Sequence, residues 1–311
     1  MIFVTGAAGF IGSNFVHFLT KKTDEQIVII DKVTYAGDVK NLYPLYQHEL
    51  AKVDLCNYEL LSELFQKYKP SAVFHFAAES HVDNSIKDVI PFIETNITGT
   101  VNLLRLSVDY DVKMFHHIST DEVYGSLGYD DPAFTESTNY DPQNPYSASK
   151  AASDHFVKAF HNTYSLPVKI TNCSNNYGPR QNVEKLIPKI ITNILKGNTI
   201  PVYGKGENIR DWIYVEDHCE AIYEVFTRGK VGEKYNIGGQ CEVKNIDLIK
   251  MLLKLLDGSE DLIEYVQDRP GHDLRYSIDN AKIKSELDWS PKYSLERGLE
   301  KTIKWYKNDR F

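Results

Sequence analysis

The chain has 311 residues, 42% of them hydrophobic, enough for one large domain and a smaller one. Lys and Arg total 35 against 43 Asp and Glu. The resulting charge of −8, with no basic stretch to neutralise a phosphate backbone, argues against nucleic acid as a partner. No long apolar run marks a membrane span or export signal. Cys56, Cys173, Cys219 and Cys241 are too far apart for a CxxC pair or a metal site, so free thiols in a reducing, cytoplasmic setting are expected.

In chain order, short apolar runs at 2–4, 27–30, 72–76, 114–118 and 168–171 read as strands buried on both faces. Between them Ile11, Phe15, Phe18 and Leu19 recur at helical spacing, as do Leu60, Leu61, Leu64 and Phe65. This alternation predicts a Rossmann-type, doubly wound parallel sheet over 1–175. Beyond it, Pro188, Pro201, Gly204, Gly206, Gly238 and Gly239 break the chain into short pieces. Residues 176–311 are therefore expected to form a smaller mixed α/β substrate domain, with some segments returning to the first.

The first strand runs into Gly6-Ala-Ala-Gly9-Phe-Ile-Gly12, which opens the first helix. Gly6 permits a tight turn, Gly9 lets backbone approach a pyrophosphate, and Gly12 lets helix and strand pack closely. The helix N-terminus offers free N–H groups and a partial positive charge to the anion. Asp31, nineteen residues past Gly12 and directly after the second strand, suits the two ribose hydroxyls and repels a 2′-phosphate. Together these predict NAD rather than NADP.

Tyr146-Ser-Ala-Ser-Lys150 sets a phenol and an ammonium on one helical face, where the cation favours phenolate and makes the tyrosine a base. The spacing alone recurs by chance and then marks a surface pair, so its weight comes from lying downstream of the glycine turn. Thr120-Asp121-Glu122 follows the strand ending at residue 118, at the carboxyl edge where such sheets bind ligands. Adjacent carboxyl groups can serve as acid and base if their environments separate their pKa values. The same residues read equally well as a solvated loop capping the next helix.

These residues together resemble the extended short-chain dehydrogenase/reductase family and, within it, the dTDP-glucose 4,6-dehydratases. The resemblance rests on GAAGFIG at 6–12, AAESHVDNS at 77–85, STDEVYG at 119–125, YSASK at 146–150, NCSNNYGP at 172–179, RDWIYVEDH at 210–218 and DRPGHD at 268–273. It implies that dTDP-glucose is oxidised at C4, loses water across C5 and C6, and is reduced at C6 with recycled NAD, giving dTDP-4-keto-6-deoxyglucose for deoxysugar biosynthesis. Tyr146 would be the C4 base and Lys150 its partner. Glu122 would take the C5 proton, Asp121 protonate the C6 hydroxyl, and Thr120 hold the C4 oxygen.

For the cofactor, similarity adds Phe10 and Ile11 at the pyrophosphate, and Asp31, Lys32, Val33 and Thr34 around the adenosine ribose. Asp54 and Leu55 would lie at adenine, with Ala77, Ala78, Ser80, Thr95 and Asn176 toward nicotinamide. For the substrate it adds His81, Asn175, Lys185, Leu186, Pro201, Val202, Tyr203, Arg210, Asn245, Asp268, Arg269, Pro270, Gly271 and His272. Arg210 and Arg269 suit a diphosphate and read alternatively as surface salt bridges. Val183 stands where a proline is common in the family. A homodimer built on helices near 96–108 and 146–163 is implied too. The competing readings are an NAD-dependent epimerase or decarboxylase, neither of which must expel a C6 hydroxyl, and a non-catalytic NAD sensor, which needs neither the Tyr–Lys pair nor the acids.

Overall fold

The computed structural model describes residues 1–45, 48–268 and 273–309. Its strands are β1 (Ile2–Thr5), β2 (Ile27–Ile30), β3 (Glu49–Ala51), β4 (Ala72–His75), β5 (Met114–Thr120), β6 (Val168–Cys173), β7 (Asn175–Tyr177), β8 (Ile200–Tyr203), β9 (Ile209–Tyr214), β10 (Lys234–Ile237), β11 (Glu242–Lys244) and β12 (Ile263–Val266). Seven of them form an all-parallel sheet in the order β10-β6-β5-β4-β1-β2-β3. This is a Rossmann-type α/β fold, and order reversal beside β1 opens the crevice in which such sheets bind dinucleotides.

Both faces of the sheet are covered, which is why its strands are apolar throughout rather than alternating. On one face Phe3, Val28, Val73 and Phe115 pack with Leu61, Phe65, Leu103 and Val157. On the other, Val4, Ile29 and Phe74 meet Phe15 and Leu19 of the helix Phe10–Leu19, and Ile222 and Val225 of the helix Val215–Arg228. Two members, β3 and β10, lack an apolar run in the sequence; β10 comes from the later half of the chain and extends the sheet beside β6.

The remaining strands make a three-stranded sheet, β11-β9-β7, and a two-stranded one, β12-β8. They share a core with Ile187 and Ile191 from the helix Leu186–Lys196, Trp212 from β9, Leu252 from the helix Asn245–Leu255, and Leu299 and Tyr306 from the helix Leu295–Asp309. Among the described residues no helix is long and apolar enough to cross a membrane.

Three local details position the site. Gly6 has φ +69°, and a methyl group on Gly12 would lie 2.4 Å from the Gly6 carbonyl oxygen, so the turn tolerates no side chain there. Next, β5 runs two residues further than its apolar pattern, because Ser119 and Thr120 pair with Asn172 and Cys173 of β6. Finally, the helix Pro145–Tyr164 starts at a reciprocal cap, Asn144 Oδ1 accepting from the Ser147 N–H and Ser147 Oγ from the Asn144 N–H, with Pro145 at its first position.

Candidate active site

A cavity of about 300 Å³ lies at the carboxyl ends of the sheet strands, and every cofactor position expected from the sequence except Val33 lines it. The Phe10–Leu19 helix opens on Gly9 with no side-chain cap and no acid in its first turn, leaving its N–H groups for an anion. Asp31 accepts from the Ala8 N–H at 2.9 Å and the Val33 N–H at 2.7 Å. Val33 takes φ +55° and turns its amide onto Asp31. Burial raises the Asp31 pKa, and those two backbone donors oppose the rise. Lys32 Nζ donates to Thr95 Oγ1 at 3.0 Å and lies 3.7 Å from Asp54 and 3.9 Å from Glu79. An uncapped helix end, a glycine turn and an acid at the ribose position fit NAD.

Thr120, Asp121, Glu122, Tyr146 and Lys150 converge on the inner end of this cavity. Asp121 is 2% exposed and begins a one-turn 3-10 helix, Asp121–Tyr124, in which Thr120 Oγ accepts from the Glu122 N–H at 3.3 Å. The solvated-loop reading of the acid pair is therefore wrong for Asp121. Thr120 Oγ donates to Asp121 Oδ1 at 3.3 Å, while Asp121 Oδ2 has no partner among the described residues. Burial first, then the charges of Glu122 and Asp211, hold the Asp121 pKa well above the usual carboxylate range. The Asp121 carboxyl beside Glu122 is thus biased toward its protonated form.

Tyr146 is also buried; burial and the Glu122 charge raise its pKa, and a hydrogen bond with Thr120 opposes them. Lys150 Nζ donates to the Ile118 carbonyl at 2.9 Å. Burial lowers the Lys150 pKa, and Asp154 pushes it back up. In the protein alone the phenol is thus set mainly by burial and Glu122, a balance that the Tyr–Lys spacing did not reveal.

A second cavity, of about 410 Å³, is lined by His81, Asn175, Lys185, Leu186, Pro201, Val202, Tyr203, Arg210 and Asn245. Asn175, Asn176, Gln181, Glu184 and Lys185 line both cavities, so cofactor and substrate positions share one cleft. Buried Oδ1 atoms of Asn175 and Asn245 have no partner among the described residues, which fits a polar ligand. Arg210 is no surface salt bridge: it is buried, donates to the Ile209 and Asp273 carbonyls at 2.7 and 2.9 Å, and stacks on Tyr276. His81 lies 4.0 Å from Glu184, and Lys185 Nζ donates to the Ser80 carbonyl at 2.9 Å.

Asp268 lines neither cavity and lies near Gly204. Arg269, Pro270, Gly271 and His272 lie outside the described residues. The sequence reading missed Glu79, Gln181, Asn182 and Glu184 on the first cavity and Trp212 on the second. Glu79, Asn182 and Glu184 sit beside residues that were singled out, so local proximity was the available signal.

The family model for GDP-mannose 4,6 dehydratase matches residues 3–302. The dTDP-glucose 4,6-dehydratase of Haemophilus influenzae is 49% identical, over 98% of this chain and 97% of its own length. That of Escherichia coli is 50% identical, over 99% and 94%. A dTDP-glucose 4,6-dehydratase from Streptomyces venezuelae, solved with NAD bound, superposes with a TM-score of 0.96 at 44% identity, covering 99% of this chain and 97% of that one. A UDP-glucose 4-epimerase from Thermotoga maritima reaches 0.93 at 29%, covering 98% of each, so overall shape does not separate the two chemistries. The chain belongs to the extended short-chain dehydrogenase/reductase family, in its dTDP-glucose 4,6-dehydratase branch.

Proposed function

We propose that this chain binds NAD and dTDP-glucose in the shared cleft and converts the sugar to dTDP-4-keto-6-deoxyglucose and water. The observation that carries the reading is the pair at the end of β5: a buried Asp121, its pKa raised by burial and by Glu122, next to Glu122 and lining one cavity with Tyr146. When bound, NAD supplies reversible hydride storage, which no side chain offers. Tyr146 accepts the C4 hydroxyl proton as that carbon is oxidised, and Thr120 hydrogen-bonds the C4 oxygen. The ketone acidifies C5, where Glu122 removes the proton. Asp121 gives its proton to the C6 hydroxyl, which departs as water, and protonated Glu122 returns a proton to C5 as C6 is reduced. Lys150 supplies positive charge beneath this site and a donor for the cofactor ribose. Arg210, with Arg269, holds the diphosphate.

In this reading residues 1–175 carry the cofactor and 176–311 the nucleotide sugar, with β10 returned to the main sheet. A homodimer fits the exposed apolar side chains Ile86, Val89, Ile90 and Ile93 beside the helix carrying exposed Phe156 and Tyr164. Sedimentation equilibrium should then give twice the 35.6 kDa chain mass, and a monomer would refute it. Four free cysteines suit a reducing cytoplasm, which cell fractionation reads directly.

Purified protein given dTDP-glucose and no added NAD is expected to yield the 4-keto-6-deoxy sugar. UDP-glucose run alongside measures nucleobase preference. Absence of product even with NAD supplied would refute the dehydratase, and a C4 epimer without water loss would indicate an epimerase.

A further inference from the structure

One buried carboxylate beneath the site has no part in the chemistry above. Asp154 lies one helical turn beyond Lys150, so Tyr146, Lys150 and Asp154 share a face of the helix Pro145–Tyr164. It is 2% exposed, and its Oδ2 accepts from Ser119 Oγ at 2.9 Å, Tyr140 OH at 2.8 Å and Asn172 Nδ2 at 3.3 Å. Asn172 Nδ2 also donates to the Thr120 carbonyl at 3.1 Å. On the other side, His117 Nε2 lies 3.2 Å from Asp154 Oδ1 and 3.5 Å from Lys150 Nζ.

We propose that Asp154 is a positioning residue for the dehydratase reaction: its carboxylate is the counter-charge that keeps the buried Lys150 an ammonium, and its hydrogen bonds tie the Tyr146 helix to the strand end bearing Thr120, Asp121 and Glu122. The proposal rests on the functional reading above.

The charges around the cluster support this assignment. Burial brings the His117 pKa down to about 4, with Lys150 adding to the shift, so the imidazole between the two groups is neutral. Burial alone would raise the Asp154 pKa, but its contacts with His117, Lys150 and Ser119 more than reverse that. The other ionisable groups facing Lys150 are Cys173 from β6 and His75 from β4, whose ring centroid is 5.2 Å from that of His117; both stay neutral, burial raising the first and lowering the second. Tyr146 faces it from its own helix. The segments at 82–109 packed on that helix carry Lys87, Asp88, Glu94, Arg105 and Asp109 in solvent, and Asp83 beside His81. Around Asp154 stand the phenols of Tyr124 and Tyr140, and Lys234 of β10, which lies 4.4 Å over the Tyr140 ring with Glu136 beyond it. Asp154 is thus the anion among these groups that is buried with Lys150, and a buried ammonium without one gives up its proton readily.

Asp154→Asn keeps the shape and removes the charge. In the holoenzyme, the high-pH limb of the kcat profile is expected to move to lower pH by about one unit or more, with KM for dTDP-glucose within about threefold of the parent. Asp154→Glu should return the limb toward its parental position. Unmoved limbs in Asp154→Asn, with only Tm or KM altered, would overturn the proposal. Lysine 13Cε NMR, with Lys150 assigned by its loss in Lys150→Met, reads the same charge without catalysis and so still decides if the parent forms no product. If Asp154→Asn fails to fold, the parent alone decides: Lys150 still charged at neutral pH and titrating only above it supports the pairing, and loss of its proton at or below neutral pH refutes it.

Discussion

Glu122→Gln is expected to form the final product about 10²–10⁴-fold more slowly while still oxidising C4, because it removes only the base for the C5 proton. Quenched reactions should contain oxidised sugar that retains its C6 hydroxyl. In deuterated water the parent should place solvent deuterium at C5, whereas sugar recovered from the variant should keep its original proton. A second consequence follows from electrostatics. The Glu122 charge raises the pKa of Tyr146 after burial does, so losing that charge eases ionisation of the phenol. The acidic limb of the C4 oxidation should therefore shift to lower pH. Product formation at the parental rate would show that another group takes the C5 proton.

Legibility followed locality. The glycine turn, Asp31 and the Tyr146–Lys150 pair each lie within one strand, turn or helix, so local spacing and their order along the chain place them, and they line one cavity. The burial of Asp121 was not legible, because Ser119 and Thr120 are polar and hide the end of β5. Their strand geometry comes from pairing with Asn172 and Cys173, about fifty residues away and outside any local pattern. Asp154 illustrates the same limit: its helical phase with Lys150 is visible in the sequence, but its donors Ser119, Tyr140 and Asn172 come from three other segments. The second half was hardest to read, since its strands are three to six residues long and its core is assembled from short elements. Arg210 shows why a residue type does not give a role, as its guanidinium both lines the substrate cavity and holds backbone carbonyls.

Asp121→Asn is expected to lower activity by about 10²–10⁴-fold and, unlike most buried substitutions, to make the protein more stable at neutral pH. Burial first, then Glu122 and Asp211, raise the pKa of Asp121 in the folded chain well above 3.8, its ordinary value. Below that value the group is protonated in both folded and unfolded chains, and titration contributes no difference. As pH rises, the unfolded chain releases the proton first while the fold retains it, so parent stability falls by about 1.4 kcal/mol per pH unit until the folded group ionises. Asparagine does not titrate and escapes this loss, so its Tm advantage should grow from pH 4 toward neutrality. Melting curves across that range therefore test the acid without any substrate. An advantage that does not grow with pH would mean that Asp121 is already ionised in the fold, and a group without a proton cannot deliver one to the departing C6 hydroxyl. A growing advantage paired with lost dehydration would tie the stability the parent gives up to the proton it uses.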